Sequence, residues 1–420
     1  MSRLVTWGQE GGATTGLSTI DGFLKEDYVL KNIVDTVNMS TFLLSKMRSQ
    51  KTTEGRRFRF SLRFGVGEGQ GNRVERATLP EEGFGTYDEA FGNVVFQYGT
   101  LDISGPAIAA TESGKATFTQ ALKQSIKDCR DGFRLERYRQ AWGDGTGTMA
   151  LVNGTGNSTI IPVKNPYGLS YDESALTPDQ KVRGFRKNMK ILLETTGVAR
   201  TITNVSQANG TITVNTATAF ADGERIIRGD STTESNDGIE YLGVSAVMQA
   251  TGTYLGIVRD TEPGMQANII DLAGAELSED ALQAAFDTAE INGDGMSKPS
   301  MLLSEHLARR IYINLLAGYK RFVSPTVLKG GFSALDYNGV PWVTDKLCPP
   351  QRVYYLNDAD WVWFVMKNIG WADEDGQVLK WAGTDAYKAI LRAYAQIACK
   401  QPANQTMLTG VVPGGSSESV

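Results

Sequence analysis

The sequence has few of the residues from which most enzyme sites are built. Its 420 residues include one histidine, His306, and three cysteines, Cys129, Cys348 and Cys399. A single histidine excludes a histidine-rich metal site within one chain. Three widely spaced cysteines without a C-x-x-C pair fit neither a disulfide framework nor a zinc site, and they favour a reducing compartment. We expect His306 to be structural or solvent-facing.

Long apolar runs are also missing. The most apolar short stretch, Trp361–Met366, is far too short to cross a membrane, and the residues after Met1 have no secretory signal pattern. The 42 basic and 47 acidic residues give a net charge of −5. This balance argues against a protein whose main task is to grip nucleic acid. We expect a protein that is made and used in a cytoplasm, with no membrane partner.

Short motifs that suggest ligand chemistry lack their required context. The glycines of 65–71 are not followed by a helix pattern, and Gly114-Lys115 lacks both the following Ser or Thr and the earlier glycine of a phosphate loop. The tripeptide Arg228-Gly-Asp230 is expected by chance. The segment 292–295 lacks the remaining ligands of a calcium loop. We therefore expect no enzyme, no cofactor and no metal.

A long two-stranded ribbon is predicted over residues 55–104. In its outgoing limb, Arg57–Phe64, apolar and polar residues alternate with the period of a half-buried strand. The apolar residues are Phe58, Phe60, Leu62 and Phe64. The return limb is predicted over Asn93–Ile103, with a mobile glycine-rich tip between the limbs. Because an isolated hairpin is marginal in water, we expect another copy of the chain to cover its apolar face.

A long amphipathic helix is predicted from Ser113 to Trp142, spanning roughly 45 Å at about 1.5 Å per residue. Its apolar stripe consists of Phe118, Leu122, Ile126, Cys129 and Phe133. Its other faces carry basic residues: Lys115, Lys123, Lys127, Arg130, Arg134, Arg137 and Arg139. Gly132 is a candidate bend, and the glycine-rich turn 143–147 ends the helix.

Residues 196–262 predict a small β-domain inserted into a mixed α/β host. Asn209-Gly210 is a strong hairpin signal between two alternating segments. The predicted strands are Thr201–Val205, Thr211–Asn215, Glu224–Arg228, Ile239–Met248 and Thr253–Val258.

The remaining pattern alternates helices and strands. An amphipathic stretch precedes the ribbon near residues 24–37. Ser278 is a predicted cap for a helix to about Ile291, and Ser304 a predicted cap for a helix to Leu316. Between these helices, 299–303 predicts a buried strand. The last predicted strand is Tyr387–Cys399, followed by a flexible tail.

The order of five segments resembles tailed-phage major capsid proteins. These are the ribbon, the long helix with its Gly143–Gly147 turn, the strand and helix of 301–316, the turn and strand of 335–344, and the closing stretch 386–410. The resemblance implies an α+β phage major-capsid fold with an extended E-loop hairpin, a P-domain with a long spine helix, and an A-domain. The implied ranges are N-terminal arm 1–54, E-loop ribbon 55–110, first part of the P-domain 111–195, inserted β-domain 196–262, continuation of the P-domain 263–300, A-domain 301–385, closing P-domain strand 386–410 and tail 411–420.

The same resemblance implies a coat protein that assembles as hexamers and pentamers into an icosahedral shell around double-stranded DNA. The implied partners are further copies of the chain, a separate scaffolding protein, a portal, non-specifically contacted DNA and a decoration protein at the β-domain. The implied intersubunit residues of the E-loop are Arg57, Phe58, Arg59, Phe60, Arg63, Phe64, Arg73, Arg76, Glu81 and Glu82. Those of the spine helix are Phe118, Leu122, Ile126, Arg130, Arg134 and Arg137.

Two departures from the family's pattern change these expectations. Some members weld the shell through an E-loop lysine, but no lysine lies between Lys51 and Lys115, so we expect no such crosslink. Some members begin with a scaffolding domain of roughly a hundred residues, whereas about fifty precede the ribbon here, hence the separate scaffolding protein. Two alternatives stay open: an encapsulin-type compartment with the same fold, and an adhesin whose binding part is 196–262.

Overall fold

The computed structural model describes residues 42–51, 55–104, 115–293, 297–318, 326–327, 333–372, 379–380 and 386–413. The stretch near 24–37, most of the predicted N-terminal arm and the tail from residue 414 lie outside them. The helices are α1 (Phe42–Lys46), α2 (Lys115–Trp142), α3 (Pro178–Val182), α4 (Val244–Val247), α5 (Glu279–Asn292) and α6 (His306–Gly318).

Strands make up more of the described chain than helices. They are β1 (Arg48–Lys51), β2 (Arg57–Arg63), β3 (Tyr87–Asn93), β4 (Val95–Ser104), β5 (Thr148–Val152), β6 (Gly156–Lys164), β7 (Lys190–Leu193), β8 (Val198–Ser206), β9 (Thr211–Phe220), β10 (Arg225–Arg228), β11 (Thr253–Tyr254), β12 (Ile257–Val258), β13 (Asn268–Asp271), β14 (Met301–Ser304), β15 (Thr326–Val327), β16 (Ser333–Tyr337), β17 (Val340–Thr344), β18 (Arg352–Leu356), β19 (Trp361–Trp371), β20 (Leu379–Lys380), β21 (Ala386–Cys399) and β22 (Thr406–Thr409).

The chain divides into two compact units. One contains 96–135 and 367–393, and the other contains 40–95, 136–366 and 394 onward. In the first unit, β20 pairs antiparallel with β21, and Phe133 packs against Leu391 and Ala393. The side-chain amide of Gln97 donates to the Phe133 carbonyl at 3.2 Å. These contacts bury Phe133 of α2, and the predicted long helix is confirmed.

A seven-stranded sheet forms the centre of the second unit, in the order β13-β22-β18-β14-β17-β16-β15. Successive side chains of a strand point to opposite faces, so alternate residues of this sheet enter two cores. Leu302, Tyr355 and Leu408 join α5 and α6 in one core, while Leu303 and Tyr354 join the other. Burial on both faces explains why Met301, Leu302 and Leu303 form an unbroken apolar run.

Capping residues set where α5 and α6 begin. The Ser278 hydroxyl accepts from the Ala281 amide at 3.1 Å, which confirms the predicted cap of α5. The predicted cap of α6 is wrong, because Ser304 ends β14 and its hydroxyl accepts from the Trp342 indole at 2.7 Å. Glu305 takes that place, since its carboxylate accepts from the Leu307 amide at 2.9 Å.

Six antiparallel strands close a barrel in the order β10-β5-β6-β9-β8-β7. Its interior is filled by branched apolar side chains, among them Ile161, Ile191, Ile202, Ile212 and Ile226. Closure removes the free edges that a small open sheet would expose. The predicted hairpin around Asn209-Gly210 is confirmed as β8 and β9.

The predicted boundaries of the β-domain do not match this barrel. Its strands run from Thr148 to Arg228, so residue 196 falls inside it, between β7 and β8. The predicted strand over Ile239–Met248 is wrong, because Val244–Val247 form a short buried helix. An apolar run of this length has the same composition in a buried helix and in a buried strand.

Candidate assembly surface

The base of the ribbon is a regular hairpin of β2 and β3. Its register pairs Arg57 with Asn93 and Arg63 with Tyr87. The predicted return limb is therefore wrong, because Tyr87–Asn93 pairs with β2, whereas β4 pairs with β21. The sequence of β3 gives a weak strand signal, because Asp88, Glu89 and Gly92 are poor strand formers. Val95–Ser104 has the stronger β-propensity, but it forms β4, which belongs to the sheet that contains β21.

The apolar face of the ribbon base lies on the chain itself. Phe58 is 3% exposed, and its ring stacks on Phe364 with 4.3 Å between centroids. Phe60, Leu62 and Phe64 pack at the edge of the same core. The alternation predicted from sequence is confirmed. The expectation that another copy covers this face is wrong at the base, because Phe364 already covers it.

A tight loop between β11 and β12 packs against β3 and fixes the ribbon base through one hydrogen bond and one close contact. The Phe91 amide donates to the Leu255 carbonyl at 3.0 Å. Gly256 has a φ of +84°, and a Cβ there would lie 2.4 Å from the Phe91 ring. A glycine is therefore required by both backbone conformation and space.

The basic residues of the ribbon base point to solvent. The Arg57 guanidinium donates to the Asn93 side chain at 3.2 Å, and Arg59 lies 3.6 Å from the Glu89 carboxylate, with both side chains more than half exposed. Exposed pairs of this kind contribute about 0–1 kcal/mol. Arg57, Arg59 and Arg63 thus remain accessible to a neighbouring molecule.

Beyond the base, residues 64–86 form a thin extension that we call the distal arm. Phe64 and Gly65 donate to the Thr86 carbonyl at its root. Further out, a Cβ on Gly67 would lie 2.3 Å from the Gly83 carbonyl oxygen, and one on Gly83 would lie 2.5 Å from the Glu68 nitrogen. The glycine spacing that resembles a nucleotide loop therefore serves the close approach of two backbone segments.

The distal arm exposes large apolar side chains. Val66, Val74, Leu79 and Phe84 are exposed by 66, 81, 79 and 82%. They accompany the predicted contact residues Arg73, Arg76, Glu81 and Glu82, all of which are also exposed. Sequence reasoning missed these apolar residues, although isolated apolar residues in a Gly-rich polar loop were visible. Large exposed apolar side chains concentrated on one short segment, together with charged ones, indicate an interaction surface.

The predicted residues of the long helix lie in different environments. The side chains of Phe118 and Leu122 lie outside the described residues. Ile126 is half-buried, while Arg130 and Arg134 are exposed. Arg137 is half-buried, and its guanidinium lies 4.7 Å from the centre of the Trp363 ring. This arrangement fits a cation–π contact within the chain.

This architecture is similar to that of solved capsid structures. The capsid asymmetric unit of cyanophage A-1(L) matches 92% of this chain and 97% of that chain, with 13% sequence identity and a TM-score of 0.55. The chain has the phage capsid-protein fold. Weaker likenesses are the capsid of a native GTA particle (10% identity, 96% and 100% of the two chains, TM-score 0.47) and the SrpI encapsulin of Synechococcus elongatus PCC 7942 (8%, 91% and 92%, 0.46). No family model matches the sequence, and no curated protein matches it.

The capsid fold confirms the α+β fold class predicted from the order of segments. The structure also shows where the residues of the motifs that suggested ligand chemistry lie. His306 is exposed at the start of α6. Arg228 of the Arg-Gly-Asp tripeptide is bonded to Glu136, and Asp230 is bonded to Lys190 at 2.8 Å. The tripeptide is therefore occupied by contacts within the chain.

None of the described helices has both the length and the apolar character needed to span a bilayer. Among the described residues, no three His, Cys, Asp or Glu side chains are grouped as a metal site would require.

A buried ionic cluster joins the end of the long helix to the barrel within the second unit of the capsid fold. Glu136, Arg139 and Glu240 are each 5% exposed or less. The Arg139 guanidinium donates to Glu136 at 2.6 Å and to Glu240, and Arg186 and Arg228 also bond Glu136. Arg139 was predicted on an outer basic face. The structure instead buries it, because three elements converge at this end of the helix.

The arginines of this cluster determine the charge of Glu136. Burial alone would raise the pKa of the Glu136 carboxyl, but Arg139, Arg228 and Arg186 together hold it below its ordinary value. Burial raises the pKa of the Glu240 carboxyl, which shares only Arg139. Glu136 is therefore ionised at neutral pH, and it holds the arginines in place.

Asp345, at the end of β17, is a buried carboxyl group with one unpartnered oxygen. It is 1% exposed. Its Oδ1 accepts from the Leu347 amide at 2.8 Å, whereas Oδ2 has no hydrogen-bond partner in the described chain. Burial raises its pKa from 3.8 to about 7. The folded chain therefore keeps a proton that the unfolded chain loses between these two pH values.

We expect stability to fall as the pH rises from 4 to 7 through this single group. A shift of this size corresponds to about 4 kcal/mol at roughly 1.4 kcal/mol per pKa unit. Asp345→Asn should remove the fall, so the variant should be the more stable protein at pH 8. Urea unfolding at pH 5 and pH 8 measures this, with Asp260→Asn, an exposed position, as the control. Equal pH dependence in Asp345→Asn and wild type would contradict the assignment.

Proposed function

We propose that this chain is a major capsid protein that assembles into an icosahedral shell around double-stranded DNA. The observation that carries the proposal is the distal arm. It exposes four large apolar side chains on an extension too thin to bury them itself. Burying such side chains contributes about 1.5–3 kcal/mol each. The fold shared with a cyanophage capsid over 92% of the chain supports a neighbouring copy as the covering surface.

In this proposal, hexamers and pentamers form through arm contacts that repeat around each capsomer. Leu79 and Phe84 supply the apolar contact. Arg63, Arg73, Arg76, Glu81 and Glu82 form a charged rim that sets its register, with Arg57 and Arg59 near the base. Phe58 and Arg137 lie inside the chain, so we assign them to the fold. Phe60 and Phe64 are half-buried and serve both roles.

The other partners follow from the same proposal. A separate scaffolding protein would guide closure in the host cytoplasm, and a portal would occupy one vertex. Packaged DNA would contact the inner surface without sequence recognition, and the net charge of −5 argues against a tight grip on its phosphates. The closed barrel of 148–228 is our candidate position for a decoration protein, because it replaces the predicted 196–262 domain.

We expect the shell to be held without covalent bonds from the arm. The distal arm and ribbon base contain no lysine, so they cannot donate the amine of an isopeptide bond. Assembled particles boiled in detergent with a reductant should run as one 45.6 kDa band. A ladder of higher bands would contradict this expectation, and a band pattern that depends on the reductant would point to cysteines instead.

Electron microscopy of particles made by co-expression with a scaffolding protein tests the function itself. Closed icosahedral shells that contain double-stranded DNA after packaging would support the proposal. Closed shells filled with a cargo enzyme would favour an encapsulin-type compartment. A monomer or small oligomer under all conditions would reject both and favour the adhesin hypothesis.

A further inference from the structure

One small pocket in the second unit is lined by four cationic residues and no carboxylate. It lies between the barrel and the segment after β17, and Arg139, Lys181, Arg183 and Lys346 line it. Met149 and Pro166 form part of its apolar wall. Its volume of about 20 Å³ exceeds the roughly 10–15 Å³ that one water-sized group needs. The pocket therefore admits a single atom of a ligand whose remainder lies at its mouth.

Arg139 brings an unsatisfied donor to this pocket. Its side chain is 3% exposed, and its Nε and Nη2 atoms donate to Glu136 and Glu240. Its Nη1 atom has no hydrogen-bond partner in the part of the chain that the structure describes. Leaving a buried charged donor unpaired costs at least about 1–3 kcal/mol. Such a group calls for an acceptor that the protein itself does not supply.

The charges around the pocket do not cancel. Arg139 is balanced by Glu136 and Glu240, and Arg183 is balanced by Asp179 and Glu305 at 2.7 and 2.6 Å. Lys181 and Lys346 have no carboxylate within 4.0 Å among the described residues. The lining therefore includes two lysines without a counter-ion, Lys181 half-buried and Lys346 exposed, and a water molecule would leave both charges uncompensated.

We propose that this pocket binds a phosphate group, with one oxygen accepting from Arg139 Nη1 and the others facing Lys181 and Lys346. Chain geometry and charge carry this inference, and it is independent of the proposed shell function. The phosphate comes from one of two sources, the free ion or a nucleic-acid backbone. Both present the same oxygen atoms to the same donors.

A phosphate titration of the purified full chain at constant ionic strength tests the site. The readout is the midpoint of thermal unfolding as phosphate replaces chloride. We expect a saturable rise in wild type, with an affinity at least about tenfold lower in the Lys181→Met and Lys346→Met double variant, since each charged hydrogen bond contributes about 1.5–3 kcal/mol. Phosphate also stabilises proteins by exclusion from their surface, so only the difference between variants counts.

The matched control replaces two exposed lysines outside the pocket, Lys187→Met and Lys298→Met, and should titrate like wild type. If the midpoint rises equally with phosphate in wild type and in the pocket variant, whatever their midpoints in chloride, the proposal is overturned and the pocket is assigned to water. A second titration with a short single-stranded oligonucleotide separates the sources. A response that requires Lys181 and Lys346 indicates backbone phosphate, and a response to inorganic phosphate alone indicates the free ion.

Discussion

Replacing Leu79 and Phe84 together by serine should leave a folded subunit that no longer forms closed shells. Both side chains are about four-fifths exposed in the single chain, so their loss should change its stability by only about ±0.5 kcal/mol each. In a shell, each would be buried against a neighbour and contribute about 1.5–3 kcal/mol. This corresponds to roughly a tenfold to hundredfold loss of affinity per contact, repeated at every subunit.

Two measurements separate assembly from folding in this variant. Circular dichroism and thermal unfolding report the subunit, and electron microscopy with sedimentation reports the particles. Ile291→Ser is the matched control, because Ile291 is 72% exposed on α5, outside the arm. Normal yields of closed shells from the double variant would show that the arm does not carry the contact. An unfolded subunit would show that the arm belongs to the fold.

Replacing Arg139 by methionine should destabilise the chain by about 3–5 kcal/mol. The change leaves the carboxylates of Glu136 and Glu240 buried without their shared cation, and breaking a buried ion pair from one side has an effect of this size. Chemical unfolding of the isolated subunit measures it. Arg130→Met, at an exposed position on the same helix, should have almost no effect.

A second substitution tests the electrostatic reason for this loss. Adding Glu240→Gln to Arg139→Met removes one uncompensated carboxylate, so part of the stability should return. Acid should instead destabilise the wild type, because the pKa of Glu136 is lowered on folding. Its contribution to stability is present above about pH 4.5 and is lost as the pH falls further. If the double variant is no more stable than Arg139→Met alone, packing rather than charge explains the loss.

Local patterns predicted individual elements well where one period dominates. The alternation of Arg57–Phe64 and the turn at Asn209-Gly210 each involve neighbours in sequence, and each is confirmed. The long helix α2 is confirmed as well, while the side chains of Phe118 and Leu122 in its predicted stripe lie outside the described residues. The predictions of strands were wrong where the pairing strand is distant in sequence. The polar strand Tyr87–Asn93 is held by its register with β2, and no local signal separates it from a loop.

In the candidate assembly surface, too, the sequence predicted local features but not contacts between distant residues. Sequence identified the ribbon and its arginines, but it placed Phe58 and Arg137 in contact with other copies. Phe364 and Trp363, about 300 and 230 residues away in sequence, cover these two side chains. Leu79 and Phe84 are the opposite case. The sequence did not identify them as contact residues, and only the structure shows that no other part of the described chain buries them.

The sequence by itself determined the absence of lysine from the ribbon, the scarcity of histidine and cysteine, and the periods of the main strands and helices. These properties depend on composition and on neighbours along the chain. Only the tertiary structure decided that the barrel begins at Thr148, that the ribbon base rests on its own chain, and that Arg139 lies between two carboxylates. Each of these depends on contacts between distant residues, because burial and the pairing of charges are set by what the folded chain brings together.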